Sequence, residues 1–156
     1  MMCFNVVCNC YCVMNFVMQI REYDIRYHAK LEHIYLNSRR DAFYWVDTQN
    51  YQLSDFSQDT QGEKIWVALQ EERVLGFIAV WQEDHFIHHL YVDKSVYRQG
   101  VGEKLLQKVR QVYQDPLRLK CLCQNQRAIL FYQSQGFVAL SEGKDDLGAY
   151  LLMQLN

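Results

Sequence analysis

The feature that most constrains this chain is the segment 97–102, Tyr-Arg-Gln-Gly-Val-Gly, which joins an apolar, strand-like run to an amphipathic helix. A turn at this place directs backbone N–H groups into one concavity, and the helix dipole adds partial positive charge there. Gly100 and Gly102 let a ligand approach the backbone and tolerate φ values that a side chain disfavours. An ordinary strand-to-helix connection would use the same residue types. We nevertheless predict a phosphate-binding turn, because a second motif follows it.

The second motif reads Asn-x-x-Ala-x-x-Phe-Tyr-x-x-x-Gly-Phe and begins at Asn125. Together the two motifs resemble those of the GNAT superfamily, the acyl-CoA-dependent N-acyltransferases, and the resemblance extends over residues 18–156 in element order. It implies that acetyl-CoA is the co-substrate and that a primary amine attacks the thioester directly, without an acyl-enzyme. Tyr97 is a departure, because the family usually has Gln or Arg there. Arg98 would supply a cation from a different angle.

Composition limits the remaining classes of function. The chain of 156 residues is half apolar and 22% charged, which suits one domain with a single core. Its net charge of −2 argues against a broad nucleic-acid-binding surface. Cys121 and Cys123 alternate with Leu122 on a predicted strand, so we interpret them as core residues and predict no metal site. The expected partners are a small-molecule or peptide amine and, by resemblance, a second copy in a homodimer, with no nucleic acid and no membrane.

Residues 1–17 are apolar and cysteine-rich and match no element of the resemblance, so we interpret them as an N-terminal extension of unclear role. They lack the basic start and the cleavage site of a secretory signal, and they are too short and too polar for a membrane span. An upstream start, an added edge strand and a dimer contact all stay open. The first is favoured because Met18 begins a strand typical of the family. We predict a single N-acetyltransferase domain over 18–156 and a cytoplasmic location.

Hydrophobic periodicity divides this domain into strands and helices. We predict strands at 18–22, 64–69, 73–81, 85–92, 117–123, 137–140 and 149–154, and helices after Asp24, at 101–112 and at 126–135. Asp24 and Asn125 are candidate N-caps, and Gly136 is suited to end the last helix. Antiparallel strands followed by a β-α-β-α-β half indicate an α+β fold. By resemblance this is the GNAT-type mixed, mostly antiparallel sheet flanked by helices, with a splayed strand pair holding acyl-CoA.

The resemblance also implies which residues hold acetyl-CoA. Main-chain groups of Leu90 and Val92 would pair with the pantetheine arm, and Asn125 would contact the same arm. Tyr132 would be the general acid for the departing thiolate, since a thiol titrates near ~8.5 and a phenol near ~10. A tyrosine that only packs on its helix is the structural alternative. The predicted cofactor-binding residues are Leu90, Tyr91, Val92, Tyr97, Arg98, Gln99, Gly100, Val101, Gly102, Glu103, Asn125, Ala128 and Tyr132.

The candidate general base lies at His88 or His89, within the strand that precedes the phosphate turn. Histidine accepts a proton near neutral pH, as removal of a proton from an amine requires. Adjacent residues of a regular strand point to opposite faces, so we expect at most one of the two to face the thioester. A histidine bonded within the sheet is an equal alternative. A carboxylate at Glu83 or Asp84, or a water chain, could also serve.

The acceptor pocket is expected over the first helix and the loop after it. The pair Arg39-Arg40 beside aromatic rings would suit a carboxylate or phosphate on the substrate. From this segment we predict Arg40, Phe43 and Trp45 as substrate-binding residues. A solvated helix end with aromatic residues covering the core is the structural alternative. Two other functions stay open. One is an acyl-CoA-binding regulatory or sensor protein with little turnover, and the other is a peptide N-terminal acetyltransferase.

Overall fold

The computed structural model describes residues 17–156, so the extension expected over 1–17 lies outside the described residues except for Val17. Short 3-10 turns at Ile25–Tyr27 and Lys94–Val96 precede the first and third helices. The strands are β1 (Met18–Glu22), β2 (Lys64–Gln70), β3 (Arg73–Trp81), β4 (Phe86–Val92), β5 (Leu117–Leu122), β6 (Val138–Asp145) and β7 (Gly148–Leu155). The helices are α1 (His28–Ala42), α2 (Asp55–Asp59), α3 (Val101–Val112) and α4 (Gln126–Ser134).

The strands form one sheet in the order β1-β2-β3-β4-β5-β7-β6. Neighbouring strands run antiparallel except β4 and β5, which run parallel. These two strands pair only at Phe86 with Arg118 and at Ile87 with Leu119. Beyond Ile87 the two strands separate, and no further residue of β4 pairs with β5. The α+β architecture and the splayed strand pair are those predicted.

Helices cover both faces of the sheet. Trp66, Leu105 and Phe137 belong to a buried cluster between one face and the helices α3 and α4. A second cluster packs α1 and α2 on the other face and includes Leu31 and Phe56. Both faces of β2 and β3 are buried, so these strands are almost continuously apolar. The sheet is therefore held rigidly on both sides of the point where β4 and β5 separate.

The last two strands extend further than predicted. β6 reaches Asp145 and β7 begins at Gly148, so the hairpin turn contains only two residues. Gly148 takes a φ of +127°, which a side chain disfavours. The segment 141–144 lacks apolar alternation because β6 is an edge strand and faces solvent there. Pairing with β7, and not burial, holds it, which hydrophobic periodicity does not reveal.

Candidate active site

A groove of about 940 Å³ crosses the sheet at the point where β4 and β5 separate. Its walls are the end of β4, the turn before α3 and the first two turns of α4. The groove brings together all of the predicted cofactor-binding residues except Gln99, whose N–H donates to the Val96 carbonyl at 3.4 Å. Residues of α1 and of the loop before α4 add a wall that the sequence did not predict. They are Ser38, Asp41 and Ala42 of α1 and Gln124 of the loop, and Gln126 at the start of α4 lies beside them.

The two glycines of the turn serve different physical purposes. Gly100 caps α3 with a φ of +78°, and a Cβ built there meets no atom within 4 Å. It is needed for its backbone conformation, and the space beside it is open to a ligand. Gly102 lies inside α3, and a Cβ there would be 3.1 Å from Cζ of Phe131. It is needed for close packing of α3 against α4.

A cation from α4 lies beside the unusual Tyr97. The guanidinium of Arg127 is 3.9 Å from the centroid of the Tyr97 ring, which is a cation–π distance. Arg98, Lys94 and Arg127 all line the groove near the turn. The aromatic ring thus holds an arginine where the family usually places a polar or basic side chain at the turn itself.

One side of β4 is open along the groove. Leu90 pairs with Ile78 and Val92 with Gly76 on the β3 side, whereas pairing with β5 ends at Ile87. The open main-chain groups resemble those of an edge strand, which bind extended ligands through amide hydrogen bonds.

Tyr132 lies where the groove meets a second cavity of about 510 Å³, and it lines both. Burial raises the pKa of its hydroxyl, which therefore stays protonated. Asn125 lines both cavities as well, and its Oδ1 accepts a hydrogen bond from the Ala128 N–H at 3.2 Å. Asn125 therefore caps α4 through this bond, and the bond does not prevent the side chain from also contacting a ligand. Cys121 also lines the second cavity, and burial raises the pKa of its thiol to about 11.

The expectation that only one of His88 and His89 faces the site is wrong. Ala79 pairs with His89 and Val80 with Ile87, so His88 is the additional residue of a β-bulge. A bulge redirects the side chains next to it, and both histidines line the second cavity, with ring centroids 6.1 Å apart. A bulge is not visible in the alternation of apolar and polar residues, so it could not be predicted from the sequence.

Glu63 is the site residue that sequence reasoning missed. Its side chain is only 2% exposed, and Oε1 accepts a hydrogen bond from Nδ1–H of His88. Oε2 lies 4.0 Å from Nε2 of His89 and has no hydrogen-bond partner among residues 17–156. Burial raises the pKa of the Glu63 carboxyl, and the bond from His88 opposes that effect. A carboxylate placed directly before an apolar strand was the available signal.

His89 differs electrostatically from His88. Its Nε2–H donates to the Asp59 carbonyl at 3.3 Å, and its side chain is 15% exposed against 42% for His88. Burial lowers the pKa of His89 to about 4, so the ring is neutral near neutral pH. The other candidate carboxylates, Glu83 and Asp84, lie exposed in the turn between β3 and β4 and line neither cavity.

The predicted substrate-binding residues are only partly brought together. Phe43 lines the second cavity. Arg40 lies outside its lining and donates to the Tyr51 carbonyl at 3.1 Å. Trp45 packs edge-on against Phe43 and donates from Nε1 to the Leu147 carbonyl at 3.1 Å, so it supports the wall from behind.

Arg39, and not its neighbour Arg40, lines the cavity. Its guanidinium lies 4.0 Å from the centroid of the Tyr35 ring and 4.3 Å from that of Tyr51. It donates to Asp55 at 2.6 Å and to Asp59 at 3.4 Å. The charge of this arginine is thus already neutralised by two carboxylates, which leaves little of it for an anionic substrate.

Within the described residues 17–156, no group of three or more His, Cys, Asp or Glu side chains is arranged to hold a metal ion. No helix in that range is long and apolar enough to cross a membrane.

Comparison with known proteins gives matches in both sequence and fold. Residues 61–139 match the family model described as an acetyltransferase (GNAT) domain. The peptidyl-lysine N-acetyltransferase YiaC of Escherichia coli (strain K12) is 33% identical over 96 residues, and the match spans 62% of this chain and 62% of that relative.

Solved structures share the fold. The PaiA N-acetyltransferase of Thermoplasma acidophilum, solved in complex with coenzyme A, superposes with a TM-score of 0.73 at 17% identity and covers 88% of this chain and 98% of its own. YncA of Salmonella typhimurium, a putative acetyltransferase solved with acetyl-CoA, gives 0.63 at 23% identity, with 88% and 92% covered. These likenesses confirm the fold that the sequence predicted.

Proposed function

Since the chain belongs to the GNAT family of acetyltransferases, we propose that it transfers the acetyl group of acetyl-CoA to a primary amine by direct attack. The observation that carries the proposal is the junction of the two cavities. Leu90, Tyr91, Asn125, Ala128 and Tyr132 line both of them. A thioester at this junction is accessible to an amine in the second cavity and to an acid on α4.

The groove suits the charge and the amide-bearing arm of acetyl-CoA. The diphosphate binds at the turn around Gly100, where backbone N–H groups, the α3 dipole and the side chains of Arg98 and Arg127 favour negative charge. The pantetheine arm lies along the open side of β4 and pairs with its main chain. Its side chains then need only be apolar, as Leu90 and Val92 are.

The reaction needs one base and one acid. A cationic acceptor first releases one proton to solvent. The neutral amine nitrogen then attacks the thioester carbon, a C–N bond forms and the carbonyl electron pair moves to oxygen. The nitrogen loses a proton to Nε2 of His88. The intermediate then collapses, the C–S bond breaks and the sulfur takes a proton from the hydroxyl of Tyr132. Solvent protons restore Tyr132, and release of the proton from His88 completes the cycle.

Of the two predicted bases, His88 suits the role better. The pKa of about 4 makes His89 a weak base at neutral pH, and its Nε2–H is already donated to Asp59. We propose that His89 shapes the cavity wall. The raised pKa of Tyr132 suits an acid that must stay protonated until the sulfur needs a proton. The same dry surroundings make the thiolate more basic, which keeps the transfer favourable.

The second cavity suits a cationic acceptor. Asp59 and Asp145 line it and Asp55 lies beside it, and these three carboxylates outnumber the two basic side chains, Arg39 and Lys120, with which they pair. Its aromatic residues give a cation–π surface for an ammonium group. They are Tyr35, Phe43, Tyr51, Phe86 and Tyr91.

We propose a lysine side chain as the first acceptor to test. The named activity of the Escherichia coli relative is acetylation of peptidyl-lysine. A lysine ε-amine has the charge that this cavity favours and a stem long enough to pass between aromatic walls. A free small amine and a peptide N-terminus are the two competing acceptors.

The experiment measures release of the CoA thiol from acetyl-CoA in the presence of three acceptors. These are a peptide with an internal lysine and a blocked N-terminus, the same peptide with a free N-terminus and its lysine replaced by norleucine, and a set of small amines and polyamines. Turnover with the first alone supports the lysine acceptor. Turnover with only the second or third reassigns it. Binding of acetyl-CoA by calorimetry with no thiol release from any acceptor would indicate a sensor and contradict the enzyme.

A further inference from the structure

We infer that Glu63 is the positioning residue that holds the imidazole of His88 as the base of this site. The inference rests on the proposed function, because it assigns a second residue to the proton transfer proposed there. It depends on three separate observations: the burial of the Glu63 carboxylate, its bond to one particular nitrogen of His88, and the bulge that turns His88 toward the cavity.

The hydrogen bond selects a tautomer. Nδ1 of His88 is paired with Oε1 of Glu63, and a carboxylate accepts but does not donate. The proton of the neutral ring therefore lies on Nδ1, and Nε2 is left with a lone pair. The ring lines the acceptor cavity and is 42% exposed, so an incoming amine can reach it. A carboxylate that orients a histidine in this way also fixes the rotation of the ring.

The surroundings of the pair make the carboxylate useful during the reaction. When His88 takes the proton of the amine, an imidazolium forms beside a carboxylate that is 2% exposed. Opposite charges attract more strongly in such a site than in water. Around the pair, His89 of the same strand is neutral near pH 7, Asp59 of α2 adds a negative charge, and Arg39 of α1 is paired with Asp55 and Asp59. Two carboxylates face one guanidinium here, so these neighbours place no net positive charge beside an imidazolium at this position.

Glu63 itself is badly placed to act as the base directly. Its buried side chain lies behind the two histidines, and one oxygen is bonded to His88. The other oxygen is 4.0 Å from His89 and lacks a hydrogen-bond partner within the described part of the chain. The fold accepts a buried polar atom with no partner here, which costs stability. A cost of this kind is typical of functional sites.

The first measurement does not require turnover. In ¹⁵N NMR spectra of the uniformly labelled wild-type chain, with His88 assigned from the spectrum of His88→Gln, we expect the Nδ1–H tautomer of His88 near neutral pH. In Glu63→Gln we expect the Nε2–H tautomer to appear. An Nε2–H tautomer in the wild type, or an unchanged His88 signal in Glu63→Gln, overturns the inference, whatever the activity assay gives.

The second measurement is kinetic and uses Glu72→Gln as the matched control, since Glu72 is exposed in the turn between β2 and β3. With the best acceptor, Glu63→Gln should lower kcat by about 10- to 100-fold. The KM for the amine and the affinity for acetyl-CoA should stay within about threefold, because Glu63 lines neither cavity.

The double variant separates a positioning role from an independent one. In a His88→Gln background, Glu63→Gln should cost less than about twofold further, because its effect passes through His88. An equal loss in both backgrounds overturns the inference and indicates either direct catalysis by Glu63 or structural damage, which the melting temperature separates. If the wild type turns over no acceptor, the proposed function fails, and the NMR result alone decides whether Glu63 holds His88.

Discussion

Gly102 of α3 and Phe131 of α4 are in such close contact that a Cβ on the glycine would lie 3.1 Å from Cζ of the phenylalanine. The contact fixes the distance between the helix that follows the phosphate turn and the helix that carries Tyr132. The two sequence motifs are therefore joined physically as well as functionally. A substitution in one motif should therefore alter the packing of the other.

Gly102→Val should destabilise the protein by about 1–3 kcal/mol, because a branched side chain overpacks the contact with Phe131. Phe131→Leu in the same background should restore part of the loss by making room. Urea denaturation of the two single variants and the double variant measures the coupling. Strict additivity of the two changes would show that the contact does not limit the distance between the helices.

Gly100→Ala is the informative comparison. It should cost about 1–2 kcal/mol for the left-handed conformation alone, with no rescue by Phe131→Leu, because a Cβ there meets no neighbour.

Arg127→Gln should weaken binding of acetyl-CoA about tenfold, which is ~1.4 kcal/mol, if its guanidinium contacts a phosphate group as proposed. Tyr97→Leu should weaken binding in the same direction, because it removes the ring that holds the arginine, whereas Tyr97→Phe keeps the ring and should not. Calorimetric titration at two salt concentrations measures the effect, which should shrink at high salt. Arg110→Gln, on the exposed side of α3, is the matched control. Equal losses in Arg127→Gln and Arg110→Gln would indicate only a general effect of net charge.

Tyr132→Phe should lower kcat by roughly 10²–10⁴-fold while leaving the affinity for acetyl-CoA nearly unchanged, because the ring stays and only the acid is lost. The control is Tyr113→Phe, just after the C-terminal end of α3. This change also removes a buried hydroxyl, which has no hydrogen-bond partner within residues 17–156. That change should leave kcat unaltered. Stopped-flow measurement of thiol release gives kcat for both variants. An unaltered kcat in Tyr132→Phe would show that the thiolate departs unassisted.

His89 should make stability depend on pH between about 4 and 6.5. Its pKa of about 4 in the folded chain lies below the value of 6.5 for the unfolded chain, so the unfolded state binds a proton first as the pH falls. The stabilisation that neutral His89 provides is complete above pH 6.5 and is lost as the pH falls to 4. Between pH 7 and pH 4.5 the free energy of unfolding should therefore fall by about 2 kcal/mol more in the wild type than in His89→Gln. Urea denaturation at both pH values measures the difference, and equal losses would mean that His89 titrates normally when folded.

The parts of the molecule that the sequence predicted are local in the chain. The turn around Gly100 and the N-cap at Asn125 are made by neighbouring residues, so their chemistry is visible in a short segment. Helical and strand spacing likewise located nearly every element to within a few residues.

The parts that it did not predict depend on contacts between distant segments. Glu63 meets His88 only because β2 and β4 flank β3 in the folded sheet. The bulge at His88 changes the pairing register with β3, and the alternation of apolar and polar residues does not reveal such a change. Arg39 and Arg40 are chemically identical neighbours, and only the rotation of α1 against the sheet decides which one faces the cavity.

The separation of β4 from β5 leaves a seam inside the sheet, closed at one corner by Phe86 and Ile87 and open beyond them. The protein gives up several ladder hydrogen bonds to keep that seam open. A molecule with strand-like amides restores them and ties the β1–β4 half to the β5–β7 half. Occupancy of the seam should therefore appear as stiffening of the whole sheet, with slower amide exchange on both sides of the gap. On the proposed binding mode, main-chain groups of β4 make these hydrogen bonds, so any apolar side chain at Leu90 and Val92 would serve. The seam therefore has no sequence pattern of its own.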